Sequence, residues 1–226
     1  MFINIYILFD LKYNININNL QYYIMLYIYG DSHEKFCFKN LNLPHRDLHQ
    51  SSITMFRVGR DNCIINFNNK EHDINSIICL VYGEVDCRCH IQRQINLGRN
   101  EDEVIYELVD NYFKTIQNSI LIFKKIIVVG VIPPTRQSDY ENLYGPILHE
   151  FPFIGNDKER ARYTMKVNKR IEENCSTYNY IYFNPFFYYM KEDGTLKYEL
   201  SDHCVHLGNN SFFLEQFIEL YKNIIR

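Results

Sequence analysis

An α/β fold on a largely parallel sheet is predicted by two patterns in the 226-residue chain: short apolar runs ended by glycine or proline, and amphipathic helical stretches lying between them. Four runs stand out. Ile24 to Tyr29 precedes Gly30, Ile77 to Tyr82 precedes Gly83, Ile126 to Ile132 precedes Pro133 and Pro134, and Tyr180 to Phe183 precedes Asn184 and Pro185. Their lack of polar alternation marks strands buried on both faces. A weaker fifth strand is read at Ile53 to Val58, before Gly59.

The helices follow from spacing and caps. Val104, Ile105, Leu108, Val109, Tyr112, Phe113, Ile116 and Ile120 form one apolar stripe within Glu101 to Phe123, and acidic residues fill the first turn. A charged helix runs from an Asn156 cap to Cys175, and Asn209 or Asn210 opens a last helix reaching Ile225. Residues 1–23 are unlike the rest: asparagines alternate with isoleucine and leucine, which reads as an N-terminal extension, with Met25 as an alternative start. Residues 24–226 then make one domain, a size well able to bury a core.

Composition narrows the chemistry. There are 24 Lys and Arg against 27 Asp and Glu, a net charge of −3, so nucleic acid is not an expected partner. A single alanine, Ala161, among many isoleucine, asparagine and tyrosine residues suggests an AT-rich gene. The seven cysteines, at 37, 63, 79, 87, 89, 175 and 204, are odd in number and several lie in apolar runs; reduced thiols in the cytoplasm are the expectation. Met1 to Phe9 has no basic residue before it and no small-residue cleavage site after it, so no signal peptide is expected. No apolar run reaches the length of a membrane-spanning helix, and no membrane partner is expected.

Parallel α/β sheets bind ligands at the carboxyl ends of their strands, so the residues just after each strand carry the functional reading. Gly30-Asp31-Ser32-His33 follows the first strand and enters a helix, where unpaired N–H groups favour a developing negative charge. By itself this tetrapeptide reads first as an ordinary helix cap, in which Asp31 or Ser32 merely caps the helix. Ser201-Asp202-His203-Cys204-Val205-His206, before the last helix, adds an acid and a base. A serine hydroxyl needs a histidine to accept its proton, and that histidine needs a carboxylate to hold its tautomer. Ser32, His206 and Asp202 could supply all three.

The order of these blocks resembles the GDSL/SGNH hydrolase family over residues 24–226. That resemblance implies a three-layer α/β/α, flavodoxin-like fold with a mostly parallel five-stranded sheet. It makes Ser32 the nucleophile, His206 the base and Asp202 its orienting acid, and it gives the oxyanion to the backbone N–H groups of Ser32 and Gly59. The third block departs from the family: Gly83-Glu84-Val85-Asp86-Cys87-Arg88 puts valine where the family has an amide donor. It is similar to a subgroup with Gly-Glu-Ile/Val-Asp-Cys-Arg at this point, and Arg88 is expected to replace the lost donor. The acid also departs, because the usual Asp-x-x-His is Asp202-x-x-x-His206 here.

Asp31, His33, Glu84, Asp86 and His203 are expected around these groups. Tyr140, Tyr144 and Phe151 to Phe153 are candidates for a lid. The implied activity is hydrolysis of an O-acyl ester, acetyl first, on a small molecule or a glycan, with no cofactor and no metal. Acyl transfer to a glycan and a binding module with a decayed triad are the alternatives. A zinc site from Cys87, Cys89, His90, His203, Cys204 and His206 is weaker, since Cys-x-Cys-His lacks the usual spacing.

Overall fold

The computed structural model describes residues 24–61, 76–119, 125–147 and 151–226. The extension at residues 1–23, Cys63, and the end of the helical stripe at Ile120 to Phe123 lie outside the described residues. Five strands form one sheet: β1 (Leu26–Gly30), β2 (His45–His49), β3 (Ile77–Val81), β4 (Lys125–Val129) and β5 (Ile181–Phe183). Their order is β2-β1-β3-β4-β5 and all four pairings are parallel.

Side chains alternate across the buried strands and feed two cores. Tyr27, Tyr29, Ile78, Leu80, Ile126 and Val128 face one layer, together with α2 (Met55–Arg60), α4 (Glu101–Ser119) and α6 (Asp157–Tyr178). Leu26, Ile28, Cys79, Val81, Ile127 and Val129 face the other, under α1 (Ser32–Cys37) and α7 (Ser211–Ile225). Two short helices complete the set: α3 (Ile91–Asn96), preceded by one π turn at Asp86–His90, and α5 (Gln137–Tyr144). The predicted α/β/α layering is the observed one. Among the described residues no helix is long and apolar enough to cross a membrane.

One expected strand is corrected. Ile53 to Val58 is not in the sheet; Met55 to Arg60 is helical, because Thr54 accepts a hydrogen bond from the Arg57 N–H at 3.2 Å and caps the turn. The fifth strand is instead His45-Arg46-Asp47-Leu48-His49, whose charge suits an exposed edge and hides it from a search for apolar runs. The helix over 156–175 extends to Tyr178 behind a full capping box on Asn156. At the last helix both asparagines act: Asn209 accepts from the Ser211 N–H, while the Asn210 amide donates to the carbonyls of Phe36, Cys37 and Lys39.

Because β1 has neighbours reached by connections in opposite directions, its C-terminal end beside that of β3 is the switch point of the sheet. Two glycines let the chain pass there. A Cβ on Gly30 would lie 2.4 Å from the Glu34 Cβ, and Gly83 has φ +119° with Val131 2.7 Å from where its Cβ would be. Just beyond, the buried Asp86 carboxylate accepts from the N–H groups of Met55 and Phe56 at 2.9 and 3.2 Å, tying the segment after β3 to the start of α2. Asp86→Ala strands those two donors and should destabilise the fold by about 1–3 kcal/mol in chemical denaturation. An unchanged midpoint would show that Asp86 does not hold α2.

Candidate active site

Ser32 is the first residue of α1, with Asp31 as its cap: the Asp31 Oδ1 accepts from the His33 N–H at 2.9 Å. The Ser32 N–H has no intrahelical partner at this position. The other half of the site is the loop 201–208, which folds back on itself. Ser201 and Leu207 form an antiparallel bridge, the Asp202 N–H donates to the His206 carbonyl at 3.0 Å, and His203 takes a left-handed φ of +64° at the bend. This bend brings a carboxylate and an imidazole four residues apart face to face.

The structure places Ser32, His206 and Asp202 in one hydrogen-bonded line. His206 Nδ1 donates to Asp202 Oδ2 at 2.9 Å, and His206 Nε2 lies 2.9 Å from the Ser32 Oγ, where it accepts the hydroxyl proton. Asp202 is further fixed by the N–H groups of Cys204 and His206 on its Oδ1, at 2.8 and 3.1 Å. Phe36, one turn along α1 from Ser32, stacks flat on the His206 ring at 4.0 Å with 4° between the planes. Thr135, beyond β4, donates to the Cys204 carbonyl at 2.9 Å and steadies the loop from below.

Electrostatics fit a neutral base. Burial pushes the His206 imidazole down, the Asp202 hydrogen bond pushes it up and the nearby His33 pushes it down again; the balance is below the ordinary 6.5. Burial pushes Asp202 up, but its hydrogen bonds from His206 and the backbone outweigh this and keep it below the ordinary carboxylate value.

Beneath Ser32 lies a set of buried ionisable groups. Asp31, His33, Glu84 and Arg88 are each at most 5% exposed. His33 Nδ1 is 3.0 Å from Asp31 Oδ1, His33 Nε2 is 3.6 Å from Glu84 Oε2, and Glu84 receives the Arg88 Nε at 2.9 and 3.2 Å. Arg88 sits in the π turn, a local irregularity common at functional sites, and it also donates from Nη1 to the Phe151 carbonyl. Its Nη2 carries no hydrogen bond among the described residues, and its guanidinium lines the same cavity as Ser32.

That cavity, of about 310 Å³, is walled by Ser32, Val85, Arg88, Val205 and His206, by His49 at the end of β2 and Ser51, Ser52, Ile53 and Thr54 after it, and by Tyr140, Ile147 and Phe151. A second cavity of about 360 Å³, between α6 and residues 182–194, has none of Ser32, Asp202 and His206 in its wall, which leaves the smaller one as the candidate site.

Several expected residues lie elsewhere. Gly59 is not in the pocket wall: residues 55–60 are helical, and Gly59 lets α2 approach α4, where an added Cβ would stand 3.0 Å from the Tyr112 backbone nitrogen. The neighbouring wall is made by Ser51 to Thr54, with Ser52 in a left-handed conformation at φ +61°. His203 is exposed and packs on Tyr198, away from His206. Asp86 caps α2, as described, and burial pushes it up to about 7 against those two backbone bonds.

His90 packs on Phe56, and burial pushes it down to about 4. The zinc combination is not assembled. Cys87 and Cys89 are buried, with thiols that burial pushes up. Among the described residues the one close Asp/Cys/His cluster is Asp202, Cys204 and His206, and its acid and base are already joined to each other and to Ser32. Of the lid candidates, Tyr140 and Phe151 line the cavity, and Phe153 instead lies over the Arg88 and Arg160 guanidinium groups.

No family model matches the chain, and no curated protein matches it. Solved structures do. A Streptococcus pneumonia protein provisionally described as a platelet activating factor superposes with a TM-score of 0.58 at 15% identity, over 91% of this chain and 87% of its own. A provisionally described acylhydrolase of Bacteroides fragilis gives 0.53 at 12%, over 89% and 88%, and a GDSL-like lipase of Bacteroides thetaiotaomicron gives 0.53 at 14%, over 89% of each chain.

The buried carboxylates also set a stability prediction. Glu34, fully buried in α1, is pushed by burial and by the nearby Asp47 from 4.5 up to about 8. A raised carboxylate binds its proton more tightly folded than unfolded, so its contribution is present below about pH 4.5 and lost by about pH 8. Glu34→Gln should flatten the loss of stability across that interval in denaturation at a series of pH values; an unaltered slope would contradict a neutral Glu34. At this level of identity the likeness to solved structures speaks for architecture, and the chain has the α/β/α fold of the GDSL-like lipases and acylhydrolases.

Proposed function

We propose that the chain is a serine hydrolase of carboxylic esters, cleaving a short O-acyl group, acetyl first, from a small molecule or a glycan. The observation that carries this reading is the line Asp202–His206–Ser32, closed by two 2.9 Å hydrogen bonds at the wall of a cavity. In the cycle His206 takes the Ser32 proton as Oγ attacks the carbonyl carbon, and Asp202 stabilises the imidazolium. His206 then hands that proton to the leaving alcohol. Water, deprotonated by the same imidazole, clears the acyl-serine.

The negative oxygen of the tetrahedral intermediate needs donors. The Ser32 N–H is the first. Ser52 takes the place expected of Gly59; no partner for its N–H occurs among the described residues, and its φ of +61° is the conformation a glycine would favour. Arg88 is the third, through Nη2, because its other two nitrogens are held by Glu84 and Phe151.

The size and lining of the cavity support a short acyl group and a polar carrier. About 310 Å³ bounded by His49, Ser51, Ser52, Thr54 and Arg88 suits hydroxyl-rich substrates, with Tyr140 and Phe151 available to a sugar face. If a sugar hydroxyl replaces water in the second half of the cycle, the same residues transfer the acyl group. The six described cysteines are free thiols, which supports a reducing, cytoplasmic setting.

Ser32→Ala should abolish turnover of a small chromogenic acetate ester while leaving the free energy of unfolding within about 1 kcal/mol of the parent. Equal turnover in mutant and parent would overturn the assignment. The parent's kcat/KM should rise with pH along a limb centred below 6.5, the ordinary imidazole value, since His206 acts unprotonated. Arg88→Lys keeps a cation for Glu84 but withdraws the planar donor; kcat should fall about 10²-fold with little change in KM. A fall confined to KM would remove Arg88 from the oxyanion site.

A further inference from the structure

His33 lies between the triad and the buried charges, and the hydrolytic cycle does not use it. Both of its ring nitrogens face oxygen acceptors. Nε2 lies 3.1 Å from the carbonyl oxygen of Val205, the residue before His206, and a carbonyl has no proton to offer, so Nε2 must carry one. Nδ1 lies 3.0 Å from Asp31 Oδ1, an oxygen that already accepts from the His33 backbone N–H. One proton is shared there between a carboxyl group and an imidazole, and it rests on the weaker acid, the imidazole.

The surroundings support a doubly protonated ring. His33 stands between two buried carboxyl groups, Asp31 3.0 Å from Nδ1 and Glu84 3.6 Å from Nε2, with the Arg88 guanidinium on the far side of Glu84. Burial alone would push His33 down; the charge and hydrogen bond of Asp31, then Glu84, outweigh burial and the opposing Arg88, and the imidazole stays above its ordinary value. The His33 and His206 ring centroids are 4.7 Å apart.

We propose that His33 is a standing imidazolium that positions His206: it grips the Val205 carbonyl to fix the loop, and its charge keeps the neighbouring base in its neutral, proton-accepting form. The charged and titratable groups facing His206 are Asp202 and Cys204 from its own loop, His33 from α1 and Glu84 from beyond β3; Ser32 and Phe36 of α1 complete its surroundings. Asp202 and Glu84 both favour protonation of His206. Among these neighbours His33 supplies the opposing charge, and without it the base would be protonated over more of the acid range.

The proposal rests on His206 as the base of the hydrolytic reading, and its test does not need turnover. Nitrogen-15 NMR of the histidine side chains should show both His33 ring nitrogens protonated at pH 7, with a separate titration for His206. A His33 ring bearing one proton at pH 7 would overturn the proposal. In His33→Gln, whose amide can still donate to the Val205 carbonyl, the His206 midpoint should move up by about 1 pH unit. The acid limb of kcat/KM should move with it. An unmoved His206 midpoint in the folded variant would refute the charge role; should that variant not fold, the parent's His33 spectrum decides alone. Absence of ester turnover beside a doubly protonated His33 would count against the hydrolytic reading and leave the charge assignment standing.

Discussion

The contact on which the site depends is the one between Ser32 Oγ and His206 Nε2, which joins residues 174 positions apart in the chain. No local propensity produces it. It exists because β1 ends at the switch point of the sheet, which exposes Ser32 at the start of α1, and because the chain returns to the same edge before α7. The Asn210 amide then ties the first residues of α7 to three carbonyls at the end of α1, and Thr135 holds the Cys204 carbonyl. The two halves of the site are therefore clamped on both sides of the hydrogen bond that matters.

The sequence makes the buried framework and one edge legible and the other edge illegible. Central strands buried on both faces have to be continuous apolar runs, as β1, β3 and β4 are; β5, at one edge, is as apolar although Ile181 and Tyr182 are only half-buried. β2 has one apolar residue in five, because an edge strand is stabilised by its ladder with β1 and not by burial. Ile53 to Val58 misled for the opposite reason. Its apolar residues serve a short helix, and the signals that decide this, a Thr54 cap and a buried Asp86 carboxylate thirty residues away, are respectively weak and non-local.

The same distinction runs through the site. Asp202 and His206 could be paired from sequence only by allowing an unusual spacing, and the left-handed turn at His203 is what closes it. Block order points to Gly59, but it cannot tell a glycine that lines a pocket from one that lets two helices touch. Ser52, whose backbone adopts the glycine-like conformation, carried no signal in its residue type. Glu84 and Arg88 were recognisable as charged residues beside a strand end; that they are buried together and continue through His33 to Asp31 follows from the packing of β1 against β3. A row of buried charges is costly unless each is paired; Glu84 is paired with Arg88, and the carboxylate of Asp31 has the His33 ring at 3.0 Å.

The proposed chemistry asks one side chain to be unlike the other serines. A fluorophosphonate probe reacts with a serine that a neighbouring base has activated, so labelling of the folded chain followed by peptide mapping reads that property without knowledge of the substrate. A single adduct on Ser32, lost when the protein is unfolded first, is the predicted result. A folded chain that takes up no probe at Ser32, or takes it up equally at other serines, would contradict the account.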